Sequence, residues 1–167
     1  TGLYDVRGQA WDTDLAARVG IDPGLLPPLR SPGEVVGPIA GLDAPLVIVG
    51  SHDTASAVVA VPLGDEPAAY ISSGTWSLVG LELDAPVLTE DARLADFTNE
   101  VGVDGTTRFL KNVMGLWVLS QSLDGWRTDL GTVLAAAADC EPLRTVVDID
   151  DPSLLPPGAM PERIAAL

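Results

Sequence analysis

Residues 45–60 read PLVIVGSHDTASAVVA, and the order of chemistry within them decides the fold. Pro45 to Gly50 is a short, wholly apolar run, the pattern of a parallel strand buried on both faces. Ser51-His52-Asp53-Thr54 turns abruptly polar. Ala55 to Val61 is small and apolar and predicts a helix. Strand, polar loop and helix in direct succession place ligand-contacting groups at the carboxyl end of a parallel sheet. The expected fold class is therefore α/β.

Asp53 is the sharpest chemical candidate in this stretch. A carboxylate between a buried strand and a helix can accept the proton of a hydroxyl nucleophile. It can equally be a helix cap, because Ser51, Asp53 and Thr54 are all good N-cap residues. His52 is the only histidine, so a multi-histidine metal site is excluded. It can hydrogen-bond a sugar hydroxyl or carbonyl, or make a structural polar contact. Thr54 is open to the same two readings, a ligand hydroxyl or a first-turn residue.

Outward from this core, Trp11 to Val19 predicts a short helix capped by Asp12 or Thr13, with Gly20 as its stop. Asp22 to Pro38 is rich in proline and glycine and reads as an ordered loop with an extended piece at Glu34–Val36. Pro62 to Pro67 is turn-rich and marks a domain boundary. Ala69–Ser73 and Trp76–Leu83 read as strands flanking Ser73-Gly74-Thr75. Asp84–Ala95 is a surface excursion, Phe97–Val103 a third strand, and Asp104-Gly105 starts a turn into Thr106–Leu110. Asn112–Leu123 predicts the best helix, with Val113, Leu116, Trp117, Ser120 and Leu123 near one face. Leu130–Ala138 predicts another helix, Val146–Ile149 a short strand, Asp150–Pro157 a loop, and a last helix begins at Met160.

The turn Ser72-Ser73-Gly74-Thr75-Trp76 is a second candidate site. Gly74 permits close backbone approach, and N–H groups with the Thr75 hydroxyl can hold phosphate oxygens. An ordinary β-turn is the alternative. The chain has no GxxxxGK[ST] loop and no GxSxG elbow. Asn112 can cap its helix or offer an amide to a polar ligand. Lys111 carries no assigned role, and Trp117 reads as core.

Composition narrows the function classes. Apolar residues are 47% and charged residues 20% of 167, a globular balance. A net charge of −15 disfavours nucleic acid and anionic membrane as partners. It also means that a bound nucleotide needs Mg²⁺ and backbone N–H groups to offset repulsion. The single cysteine, Cys140, fits a reducing compartment and reads as a small buried apolar residue, with a reactive thiol as the alternative. No apolar run reaches the roughly 18 residues of a membrane span, so a cytoplasmic location is expected. The start at Thr1-Gly2-Leu3 and an end within an apolar helical pattern read as an internal piece of a longer protein.

Five stretches, in order, carry a family resemblance: Leu3-Tyr4-Asp5 with Trp11; Ser51 through Val58; Tyr70 through Leu78; Thr98-Asn99-Glu100; and Lys111 through Trp117. Together they resemble the FGGY carbohydrate kinase family, most nearly its members acting on L-rhamnulose. The resemblance implies two domains, each with a ribonuclease H-like, actin-like core, and a cleft in which ATP and sugar meet. Residues 1–63 would be the last part of the first, sugar-binding domain, and 64–167 the start of the second, ATP-binding domain. The family's N-terminal phosphate loop and its C-terminal adenine-pocket segment have no counterpart here, so the isolated chain is expected to be inactive.

Carried over residue by residue, Asp53 is similar to the family's catalytic base, and His52 and Thr54 to its substrate-binding neighbours. Gly74 and Thr75 resemble an ATP phosphate contact, and Asn112 a substrate contact. Some members have an ATP-contacting glutamine where this chain has Ser120, with Gln121 next to it. A one-residue shift turns a helical side chain by about 100°, so neither Ser120 nor Gln121 is assigned. The implied reaction converts L-rhamnulose and Mg-ATP to L-rhamnulose 1-phosphate, with no metal held by the protein's own residues. L-Fuculose or another ketose remains an alternative substrate. A non-catalytic sugar or nucleotide sensor on the same fold remains an alternative of another class.

Overall fold

The computed structural model describes residues 2–64 and 68–167. The predicted boundary at 62–67 falls partly outside the described residues, at Asp65, Glu66 and Pro67. Helices and sheets alternate as far as β8, in keeping with the α/β expectation, and helices alone follow it. Strands β1 (Tyr4–Asp5) and β2 (Ala10–Trp11) form a small antiparallel pair, with Tyr4 opposite Trp11. Helix α1 (Thr13–Arg18) starts where Asp12 accepts the Leu15 N–H at 2.8 Å. It ends in paired bonds from Gly20 N–H to Ala17 O and Ile21 N–H to Ala16 O, with Gly20 at φ +81°. Glycine is suited to this left-handed stop because it has no Cβ to clash.

Strands β3 (Val35–Pro38) and β4 (Pro45–Val47) form a second antiparallel pair. This corrects the expectation of a buried parallel strand at Pro45–Gly50. All three β4 residues are exposed, because no element among the described residues covers either face. Apolar content alone signals that a strand favours a cover, not that this chain supplies one. Helix α2 (Asp53–Val59) follows, burying Ala55 and Val58.

Next come β5 (Ala69–Ser73), β6 (Ser77–Leu83), α3 (Glu90–Leu94), β7 (Thr98–Val101) and β8 (Thr107–Val113). They build a four-stranded sheet in the order β5-β6-β8-β7, with β7 antiparallel to β8. Phe97 and Phe109 stack at 4.6 Å between ring centroids. The side-chain amide of Asn99 both accepts from Val87 N–H and donates to Val87 O at 2.9 Å, pinning the excursion at 84–95 to the edge strand β7.

Helices α4 (Gly115–Trp126), α5 (Leu130–Ala138) and α6 (Met160–Ile164) complete the chain. Met114, Leu154 and Met160 form a buried cluster, against which Trp117, Val118, Val147, Ile149 and Ile164 pack. The buried line of α4 thus runs through Trp117, Val118 and Ser122, while Leu116 and Ser120 are exposed. The face lies one position round from the predicted one. Val146–Ile149 is not a strand; Val147 and Ile149 serve as core contacts from irregular backbone. Cys140 is exposed rather than buried, because it follows α5, a helix with no buried residue.

Two compact units can be distinguished. One holds the described residues up to Tyr70 together with Gly80–Leu110; the other holds Ile71–Val79 with Lys111–Leu167. Among the described residues no helix is long and apolar enough to cross a membrane.

Candidate active site

The first turn of α2 collects three of the predicted site residues. His52 is the N-cap, in extended backbone at φ −130° and ψ 127°, with no side-chain capping bond. Asp53 is therefore the first helical residue and not the cap. Its Oδ1 accepts the Thr54 backbone N–H at 2.7 Å, with the Thr54 hydroxyl at 3.4 Å. The bond fixes the carboxylate's direction without burying it, since the Asp53 side chain is 97% exposed. His52 Nε2 lies 3.7 Å from Asp53 Oδ1, and its ring is half-exposed. A hydroxyl can therefore reach the carboxylate and the imidazole together. The Ser56 hydroxyl donates to His52 O at 3.1 Å and closes this turn from below.

A residue without a role in the sequence reading joins them. Glu100, on β7, places Oε2 3.8 Å from His52 Nδ1 and 3.3 Å from Arg108 Nη2. Arg108, on β8 and opposite Glu100 in the register, is fully buried. Its Nε donates to the Tyr70 hydroxyl at 3.3 Å, and its guanidinium carbon lies 5.9 Å from the Tyr70 ring centroid. The sequence reading did not single out Arg108; a strand interior buries a cation only with a partner.

Gly74, Thr75 and Asn112 lie in the other unit. The Gly74 N–H donates to Trp76 O at 3.0 Å, so this amide is committed within the turn. Gly74 O and Thr75 O accept from Leu116 N–H and Trp117 N–H at 2.9 and 3.0 Å. The turn is held on its carbonyl side by the start of α4, and the Thr75 side chain is exposed. Asn112 is not a helix cap. It sits near the end of β8, exposed, because the strand continues to Val113 and the chain turns only at Gly115. Its neighbour Lys111 pairs with Asp150 at 2.7 Å. Gln121 accepts the Gly158 N–H at 2.9 Å and Ser120 is exposed. Among the described residues, no group of three or more histidine, cysteine or acidic side chains is placed to hold a metal ion.

Residues 69–167 match the profile of the FGGY family of carbohydrate kinases, C-terminal domain. Curated relatives align along nearly the whole chain. The rhamnulokinase of Bacteroides thetaiotaomicron is 40% identical over 171 residues, covering 97% of this chain and 35% of the relative. That of Pectobacterium carotovorum is 39% identical over 168 residues, covering 98% and 34%. That of Oceanobacillus iheyensis is 38% identical over 174 residues, covering 99% and 37%. The chain spans about a third of the length of the curated relatives it matches. The chain belongs to the FGGY family of carbohydrate kinases and is related to bacterial rhamnulokinases along nearly all of its length.

Proposed function

We propose that the protein phosphorylates L-rhamnulose to L-rhamnulose 1-phosphate at the expense of ATP. The observation that carries this reading is the exposed Asp53 carboxylate, oriented by the Thr54 amide and flanked by His52, in a chain whose relatives are named rhamnulokinases. Asp53 accepts the proton of the primary hydroxyl. The freed oxygen attacks the γ-phosphorus in line, the bond from that phosphorus to the β–γ bridging oxygen breaks, and ADP leaves. His52, Thr54 and Asn112 bind the sugar.

Thr75 contacts a phosphate oxygen through its hydroxyl. Gly74 contributes by having no side chain over the turn, while its own amide stays on Trp76 O. This is a narrower role than a full cradle of N–H groups. Mg²⁺ would be held chiefly by phosphate oxygens and water, and would neutralise charge on the transferring group. In the same reading, residues 1–63 belong to the sugar-binding domain and 64–167 to the ATP-binding domain, each with a ribonuclease H-like core. The reaction takes place in the cytoplasm.

The test is direct product detection. The intact protein is incubated with Mg-ATP and each of L-rhamnulose, L-fuculose, L-ribulose and D-xylulose, and sugar phosphate is read by phosphorus NMR. L-Rhamnulose 1-phosphate should form fastest. Faster turnover of another ketose would move the substrate assignment. Binding of sugar and nucleotide with no phosphorylated product from any ketose would replace the kinase reading with a sensor.

A further inference from the structure

We infer that Glu100 is a sugar-contacting residue, whose carboxylate accepts a hydrogen bond from a secondary hydroxyl of the ketose. The inference deepens the sugar-kinase reading and rests on it. Glu100 stands on β7, an edge strand of the four-stranded sheet. Its Oε2 lies 3.8 Å from His52 Nδ1, and Asp53 Oδ1 lies 3.7 Å from His52 Nε2. One imidazole thus has a carboxylate beside each nitrogen. The loop entering α2 also meets this hairpin: a Cβ added at Gly50 would lie 4.0 Å from Val103 Cγ2, just beyond β7. A six-carbon ketose with its primary hydroxyl at Asp53 is long enough to reach past the imidazole to Glu100.

The surroundings of the carboxylate favour this role over that of a counter-ion alone. Glu100 Oε2 is 3.3 Å from Arg108 Nη2, yet neither Nη1 nor Nη2 of that buried guanidinium makes a hydrogen bond. The contact with His52 is not a hydrogen bond either. Arg108 offsets the charge of Glu100 without using its acceptor sites. A carboxylate offers about four such sites, and this side chain is 39% exposed. Water fills them in the free protein, and the hydroxyls of a polyol can replace that water. A hydroxyl that donates to an ionised carboxylate makes a charge-assisted bond, stronger than one to a neutral oxygen. Asp53 takes the proton of the primary hydroxyl, so the hydroxyl that donates to Glu100 is a different one.

The experiment is titration calorimetry on the intact protein, with L-rhamnulose and its 3-, 4- and 5-deoxy analogues. Arg108→Met, which keeps Glu100, is compared with Arg108→Met plus Glu100→Ala. The pair of variants isolates Glu100 without leaving a buried cation alone. Loss of Glu100 should weaken L-rhamnulose about tenfold. For one of the analogues the same loss should shrink to about twofold or less, because the donating hydroxyl is already gone. Glu100→Gln in the otherwise unchanged protein keeps an uncharged acceptor. It should show the same pattern with a smaller loss, and it decides the matter if the double variant does not fold. An equal loss for all four sugars, as a purely structural role would give, overturns the inference. So does an unchanged affinity for L-rhamnulose. Failure of the kinase reading looks different: wild type binds the ketose yet forms no sugar phosphate. A wild type that binds no ketose overturns both.

Discussion

The backbone N–H of Leu116 donates to the carbonyl of Gly74 at 2.9 Å, so the first turn of α4 holds the turn that carries Thr75. The contact depends on Gly115, whose φ of +43° lies in the left-handed region. A Cβ there would crowd the Ser77 hydroxyl, and would come within 2.7 Å of Ser77 N and 2.9 Å of Gly74 O. Those last two are backbone atoms and cannot swing away.

Gly115→Ala should therefore destabilise the protein by about 2 kcal/mol, from backbone strain and the clash together. It should also loosen the turn and raise KM for ATP more than KM for the sugar. Urea unfolding and steady-state kinetics on the same preparation check both. An unchanged KM for ATP would separate this turn from the nucleotide.

Leu154→Ala should cost about 3 kcal/mol. Leu154 is fully buried in the small cluster with Met114 and Met160, and α4 and α6 have few other buried apolar partners. Truncation removes transfer energy and leaves a cavity that so small a core closes only partly. A shift of the urea midpoint measures the cost. Leu155→Ala, one residue on and largely exposed, should leave the midpoint nearly unchanged.

Stability should fall in acid through the helix caps. Asp129 accepts from the Thr132 hydroxyl and amide, and these bonds hold its carboxyl below the ordinary 3.8. Asp151 is lowered in the same way by Ser153, and Glu90 is lowered below 4.5 by its ion pair with Arg93. A carboxylate with a depressed folded pKa stabilises the fold above its unfolded value, and that contribution is lost as pH falls through the folded value. Melting temperature should be level near neutral pH and drop below about pH 4. Asp129→Asn with Asp151→Asn should flatten part of that drop. All three groups are solvent-exposed, so the slope will be shallow.

Local chemistry made some of this legible in the sequence. The strand Ala69–Ser73 and the helix Leu130–Ala138 stand at the predicted bounds, because β-branched and aromatic residues mark the one and an alanine run the other. The polar stretch at Ser51–Thr54 opens a helix as expected. Other features depend on neighbours that a local pattern does not contain. The run Pro45–Val47 is apolar yet uncovered. Asn112 lies next to the end of a strand rather than capping a helix, because the turn waits for Gly115. The Glu100–His52 approach joins residues 48 positions apart, one on β7 and one at the start of α2, which only the tertiary fold brings together. Within the candidate site, the residue types were readable and the carboxylate behind His52 was not.

The proposed kinase chemistry turns on Asp53 acting as the base. The most direct test is a coupled ATP-consumption assay with L-rhamnulose on the intact protein, wild type against Asp53→Asn. Asparagine keeps the shape and the bond from the Thr54 amide but cannot take the proton. In Asp53→Asn, kcat should fall about a hundredfold or more, with sugar affinity by calorimetry within a few-fold of wild type. Turnover unchanged in Asp53→Asn would contradict it.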